Sequence, residues 1–276
     1  MRTTTQRLCV WAGPVMVVIW GAGFLVAGFF PLPAPSAGAA QVAAMYSEHR
    51  TAIRVGLALT IACSGLLAPF IGMISVQMKR IEGASSPLTY AQTALGALLI
   101  IEFVYPMMIL QVAAYRDDRP AETVQAIHDL GWMLFVGVVC TAIMQLIVIG
   151  VAIFSDDRDT PIFPRWAGYL NLWVALLITA SSLIPFFKTG PFAWNGLLSW
   201  WIAASAFAFW LFVMTHLLLR AISRQEGEVA TVPAGREVPA DGEFASRRQV
   251  EALAAQVEAL QAQLRGDTTL AESASG

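Results

Sequence analysis

The chain has 276 residues, 57% of them hydrophobic and 13% charged, with a formal net charge of -2. A soluble domain is about 45–50% apolar and about 25% charged, so there is too little charge here to cover a globule in water. Mean hydropathy is +0.63, which excludes a disordered chain and a disulfide scaffold, and the lack of any basic run excludes a nucleic-acid binder.

A helix that crosses the bilayer needs about 20 mostly apolar residues. Six such runs occur, at 8–30, 53–78, 88–114, 130–154, 166–187 and 196–219. They are continuous, whereas the short strands of a membrane barrel alternate in polarity. The predicted fold class is an all-α integral membrane bundle of six transmembrane helices over 1–224. A flexible linker (225–245), an amphipathic or coiled-coil helix (246–265) and a disordered tail (266–276) follow.

In chain order, the basic stretch 1–7, the first run and Ala37-Gly38-Ala39 together have the form of a signal peptide. The run is about 23 residues, beyond the 7–15 of a signal core, so a retained first helix is expected. Small residues Gly21, Gly23, Ala27 and Gly28 in this run, and Ala68 with Gly72 in the second, suit close helix packing. The first loop, 31–52, opens Pro31-Leu32-Pro33-Ala34-Pro35, which stiffens it into extended structure. Glu48-His49-Arg50 ends it.

The third run carries Glu102 near its midpoint, in Leu99-Ile100-Ile101-Glu102-Phe103-Val104-Tyr105-Pro106. A carboxyl at that depth costs a few kcal/mol unless it is protonated, hydrated or paired, which makes it the leading functional candidate. Tyr105, one turn on, is a candidate hydrogen-bond partner. The loop 115–129 contains Asp118-Arg119-Pro120-Ala121-Glu122, the pattern of a short interfacial helix reaching His128.

In the fourth run, Gln145 and Thr141 share a face one turn from the midplane. Asn171, Ala175 and Ser182 form a stripe in the fifth, and Ser205 shares a face with His216 in the sixth. These residues either join Glu102 in a polar core that binds a proton, cation or small solute, or hold the bundle together by interhelical hydrogen bonds. Pro14, Pro69, Pro106 and Pro185 interrupt four of the runs, each freeing a carbonyl one turn back.

Glu48, His49, His128 and Asp129 fall on one side of the membrane, and His49, His128 and Asp129 are weak metal candidates. The sequence names no cofactor: there is no phosphate loop, and three histidines in all leave no paired haem ligands. Cys9, Cys63 and Cys140 are isolated and read as packing.

With the N-terminus cytoplasmic, Arg2, Arg7, Lys79, Arg80, Arg158, Arg165, Arg220 and Arg224 fall inside and Arg50, Arg54, Arg116, Arg119 and Lys188 outside. Eight against five places both termini in the cytoplasm. Arginine-dominated basic residues and abundant alanine suit a GC-rich bacterial genome, hence a bacterial inner membrane.

Past the linker, Val250, Leu253, Val257, Leu260 and Leu264 recur at spacings of three and four behind a Ser246–Gln249 capping box. They are the candidate face of a parallel homodimer. Three functions stay open. One is a small permease, channel or receptor built around Glu102; another is a scaffold or accessory subunit that dimerises through its C-terminal helix; the third is an intramembrane enzyme acting on a lipid-like substrate.

Overall fold

The computed structural model describes residues 3–230, and their regular structure is helical. Six segments are long and apolar enough to cross a membrane: Thr3–Val26, Arg50–Glu82, Pro87–Tyr115, Ala121–Phe154, Arg165–Phe186 and Leu197–Gly227. Each predicted run finds its helix. In hydrocarbon an unpaired backbone group costs several kcal/mol, so runs of this length close their hydrogen bonds within themselves. The protein is an all-α, multi-pass membrane protein. The chain divides into units 1–228 and 229–276, and the first is described below. The predicted dimer face of Val250, Leu253, Val257, Leu260 and Leu264 lies outside the described residues.

Helix α1 (Thr3–Val26) ends where its sequence turns to glycine. Gly28 takes a φ of 72° and donates its N–H to the Leu25 carbonyl at 3.1 Å, while Phe29 N–H reaches the Phe24 carbonyl at 3.0 Å. This is a Schellman cap, and only glycine enters its left-handed position without strain. Phe29 then folds back on Phe24, with ring centroids 5.8 Å apart.

After a loop and α2 (Ala39–Glu48), the chain re-enters as α3 (Arg50–Ser64), which crosses α1 at a glycine pair. A β-carbon on Gly23 would lie 2.8 Å from the Gly56 carbonyl, and one on Gly56 would lie 2.6 Å from the Ala27 amide nitrogen. Gly23 and Ala27 therefore act as the close-packing residues expected of them, whereas Gly21 and Gly72 face open space.

Breaks in the spans set up the site. Between α3 and α4 (Leu67–Glu82), Pro69 has no N–H for the Gly65 carbonyl and its ring crowds that oxygen, which accepts Ala68 N–H at 3.1 Å instead. Pro14 and Pro106 leave α1 and α5 (Pro87–Tyr115) unbroken. The fourth span parts into α6 (Ala121–Gly137) and α7 (Cys140–Phe154) at Val138 (φ -87°, ψ 87°) and Val139 (φ -117°, ψ 3°), where no proline stands. Gly137-Val138-Val139 joins a poor helix former to two β-branched residues. The fifth span, α8 (Arg165–Ile178), tightens into a 3-10 helix over Thr179–Phe186 around Pro185. The sixth opens as a π-helix, Leu197–Ile202, before α9 (Ala203–Ala230), which runs on into 225–230, the start of the stretch read as linker.

On the face opposite the N-terminus, residues 27–49 fold over the bundle. Trp194 Nε1 donates to the Pro33 carbonyl at 2.8 Å and Gln125 Nε2 to the Ala37 carbonyl at 2.9 Å. Val42 and Tyr46 of α2 are buried. The separate interfacial helix expected in 115–129 does not form, because the helix that starts at Ala121 continues unbroken to Gly137.

Candidate functional site

Glu102 stands near the middle of α5, half-buried. Thr141, at the start of α7, donates its hydroxyl to Glu102 Oε1. Two local features meet at Glu102, one at its carboxyl and one at its backbone carbonyl. The break at Val138–Val139 puts the N-terminus of α7 at this depth, and the first N–H groups of a helix have no partner within it and carry partial positive charge. Pro106, one turn on in α5, has no N–H to give the Glu102 carbonyl. Among the described residues no arginine, lysine or histidine pairs with the carboxylate.

Glu102 borders a cavity of about 270 Å³. Its walls are mostly aromatic and aliphatic: Trp20 lies 5.8 Å from Phe103 and 5.2 Å from Phe135, and Phe103 lies 6.0 Å from Phe207, between ring centroids. Val138 and Val139 line it from the break, Ser181 from the 3-10 helix and Ser199 from the π-helix. Three of the irregular stretches thus meet at one cavity, the setting in which non-helical backbone is tolerated at membrane depth.

The two serines are already committed. Ser181 Oγ donates to the Ser199 carbonyl at 2.6 Å, and Ser199 Oγ lies 3.1 Å from the Phe192 carbonyl and 3.2 Å from that of Ala180. Trp20 Nε1 is buried with no acceptor. The polar group the cavity offers a ligand is thus the Glu102 carboxylate, with unused lone pairs.

The structure brings together only some of the residues singled out in the sequence. Thr141 meets Glu102. Gln145, one turn beyond Thr141, is buried against α5, its Nε2 2.9 Å from where a β-carbon on Gly96 would sit and without a partner. Asn171 is spent elsewhere: Trp210 Nε1 donates to its Oδ1 at 2.8 Å, and its Nδ2 donates to the Ala167 carbonyl at 2.7 Å. Tyr105 is 61% exposed and turned away from Glu102. Ser182 is exposed because the 3-10 winding advances the register, so that Ser181 takes the inward place. His216 and Ser205 do share a face, but it is the exposed one.

His128 lies inside α6, buried, with Nδ1 3.0 Å from Tyr46 Oη and its ring 6.1 Å from that of Trp194. Burial pushes the Tyr46 phenol far above the usual tyrosine range, with the Asp129 charge adding to the effect. His49 is exposed at the α2–α3 junction and Asp129 is half-buried. Among the described residues no group of three or more His, Cys, Asp or Glu could hold a metal ion.

The reading from sequence missed Trp20 and the break before Thr141. A tryptophan well inside a span, away from the interfacial belts, is a signal for the first. Neither a scan against protein-family models nor searches of the curated proteins and the solved structures found a match to this chain.

Proposed function

We propose that the protein is a membrane receptor or small permease whose mid-membrane cavity binds a lipophilic molecule bearing one cationic or hydrogen-bond-donating group. The observation that carries this reading is Glu102, held by Thr141 alone in a cavity otherwise walled by rings and aliphatic side chains. Ligand pockets are mostly apolar, with a few placed polar groups that set orientation. A cation here meets both a carboxylate and the faces of Trp20, Phe103 and Phe135, and rings attract cations most strongly when water is excluded.

Binding is favoured over catalysis because acid–base chemistry needs a second group opposite Glu102, and Ser181 and Ser199 are tied to backbone carbonyls. The face that carries the N-terminus is taken as cytoplasmic, on the count of arginines and lysines.

The test uses the purified full chain with benzyltrimethylammonium and its uncharged carbon isostere neopentylbenzene, read by calorimetry or by thermal shift. The wild type is expected to favour the ammonium about tenfold, near 1.4 kcal/mol. Glu102→Gln is expected to remove that preference while leaving the isostere's affinity unchanged. Equal affinity for the two probes in the wild type, or an undiminished preference in the variant, ends the proposal.

A further inference from the structure

We infer that the N-terminal face carries a binding site for an anionic phospholipid, whose phosphate sits in an arginine cleft and whose acyl chain lies along α8. The cleft, about 800 Å³, is lined by Arg80 from the last turn of α4, Arg158 from the loop after α7, and Arg220 and Arg224 from one face of α9. Asp159 is the acid among the lining residues.

The cleft is built rather than incidental. Asp156, with its side chain 1% exposed, accepts from Arg158 Nε at 2.8 Å and from Ile162 N–H at 2.8 Å, fixing the loop that forms one wall. Arg224 Nη1 reaches the Pro161 carbonyl at 3.3 Å across the opening. Gln77, fully buried, accepts from Arg80 Nη1 at 2.8 Å. Arg220 is exposed and has no ion-pair partner among the described residues.

The neighbouring surface decides between a soluble anion and a lipid. Trp166 lines the cleft, and it also heads an apolar surface groove formed with Tyr169, Leu172, Trp173 and Leu176, so the two share a wall. Residues 166–176 cover about 15 Å of helix at 1.5 Å per residue, running from the headgroup level toward the bilayer centre. Arginine forks match phosphate oxygens in pairs, basic pockets between transmembrane helices take anionic headgroups, and tryptophan favours the headgroup boundary. A phosphate with no chain has no use for the groove.

The experiment titrates the purified full chain with dioleoylphosphatidylglycerol and dioleoylphosphatidylcholine, reading bound lipid by native mass spectrometry, with inorganic phosphate as a separate arm. The wild type is expected to favour phosphatidylglycerol about tenfold, and the Arg220→Gln/Arg224→Gln pair to lose most of that preference. Arg220→Gln alone, at an exposed side chain, keeps the test valid if the pair fails to fold, and is expected to lose about threefold. Trp173→Ala is expected to weaken both lipids equally. Arg116→Gln, on the opposite face, is expected to change nothing. Equal affinity for the two lipids, an unaltered preference in Arg220→Gln, or displacement of the lipid by millimolar inorganic phosphate overturns the assignment.

Discussion

Two acids on one helical hairpin behave differently. Glu82 and Glu102 are both half-buried and each faces the start of a helix, Glu82 that of α5 and Glu102 that of α7. Glu82 accepts the Leu88 N–H at 2.9 Å, the Thr89 N–H at 2.7 Å and the Thr89 hydroxyl at 2.5 Å. Glu102 accepts a single hydroxyl, from Thr141. An ionised carboxyl has about four lone-pair sites, so Glu82 is nearly saturated and Glu102 is not. The cause is local. Glu82 sits in a tight turn beside the free N–H groups of the next helix, whereas Glu102 lies inside a helix whose own N–H groups are used. Buried acids divide by unspent acceptor capacity, and only the unsaturated one can take a ligand.

The comparison predicts that stability resides in the saturated contacts and binding in the unsaturated ones. The largest effect belongs to Gly56→Val, which forces side-chain atoms against the backbone of α1. Overpacking of this kind costs about 3 kcal/mol or more, seen as loss of the folded species on chemical unfolding. Glu82→Ala removes three charge-assisted bonds from the start of α5 and is expected to cost about 2 kcal/mol, with ammonium binding intact. Glu102→Gln is the mirror image: an unfolding free energy within about 1 kcal/mol of the wild type, with the preference for the ammonium gone. If Glu82→Ala abolished that preference, or Glu102→Gln unfolded the bundle, the division between the two acids would fail. Asn171→Leu leaves Trp210 Nε1 without its acceptor and is expected to cost about 1–2 kcal/mol in thermal unfolding, again with no change in binding.

Spans and their approximate ends were legible from sequence because apolar length and flanking charge are set directly by the bilayer. Glu102 was legible for the same reason, since an acid in the middle of an apolar run stands out whatever surrounds it. The missing N–H of proline marks four spans alike, yet the helix parts beside Pro69 and tightens around Pro185 while Pro14 and Pro106 lie in unbroken helices. The break at Val138–Val139 carries no proline: a glycine and two β-branched residues lower helix propensity but also occur within regular membrane helices, and the close packing at Gly137, where a β-carbon would lie 2.9 Å from Ile184 Cδ1, is not visible in the sequence. Ser181 and Ser182 were exchanged because face assignments assume a 3.6-residue turn, which the 3-10 helix around Pro185 does not keep. The sequence places His128 at the end of a short interfacial helix because the apolar run of the fourth span begins only at 130, whereas one helix runs unbroken from Ala121 to Gly137.

The smallest effect is the most informative about how Glu102 is aimed. Thr141→Val keeps the shape of the side chain and deletes the donor. Membrane hydrogen bonds average about 0.6 kcal/mol, so stability should fall by no more than that, and ammonium affinity by about threefold. Affinity for neopentylbenzene should stay put, because the cavity walls are unchanged. Thr141→Ser restores the donor and is expected to match the wild type. A Thr141→Val protein that binds the ammonium more tightly would show that the hydroxyl competes with the ligand for the carboxylate, leaving the N-terminus of α7 as the element that orients Glu102.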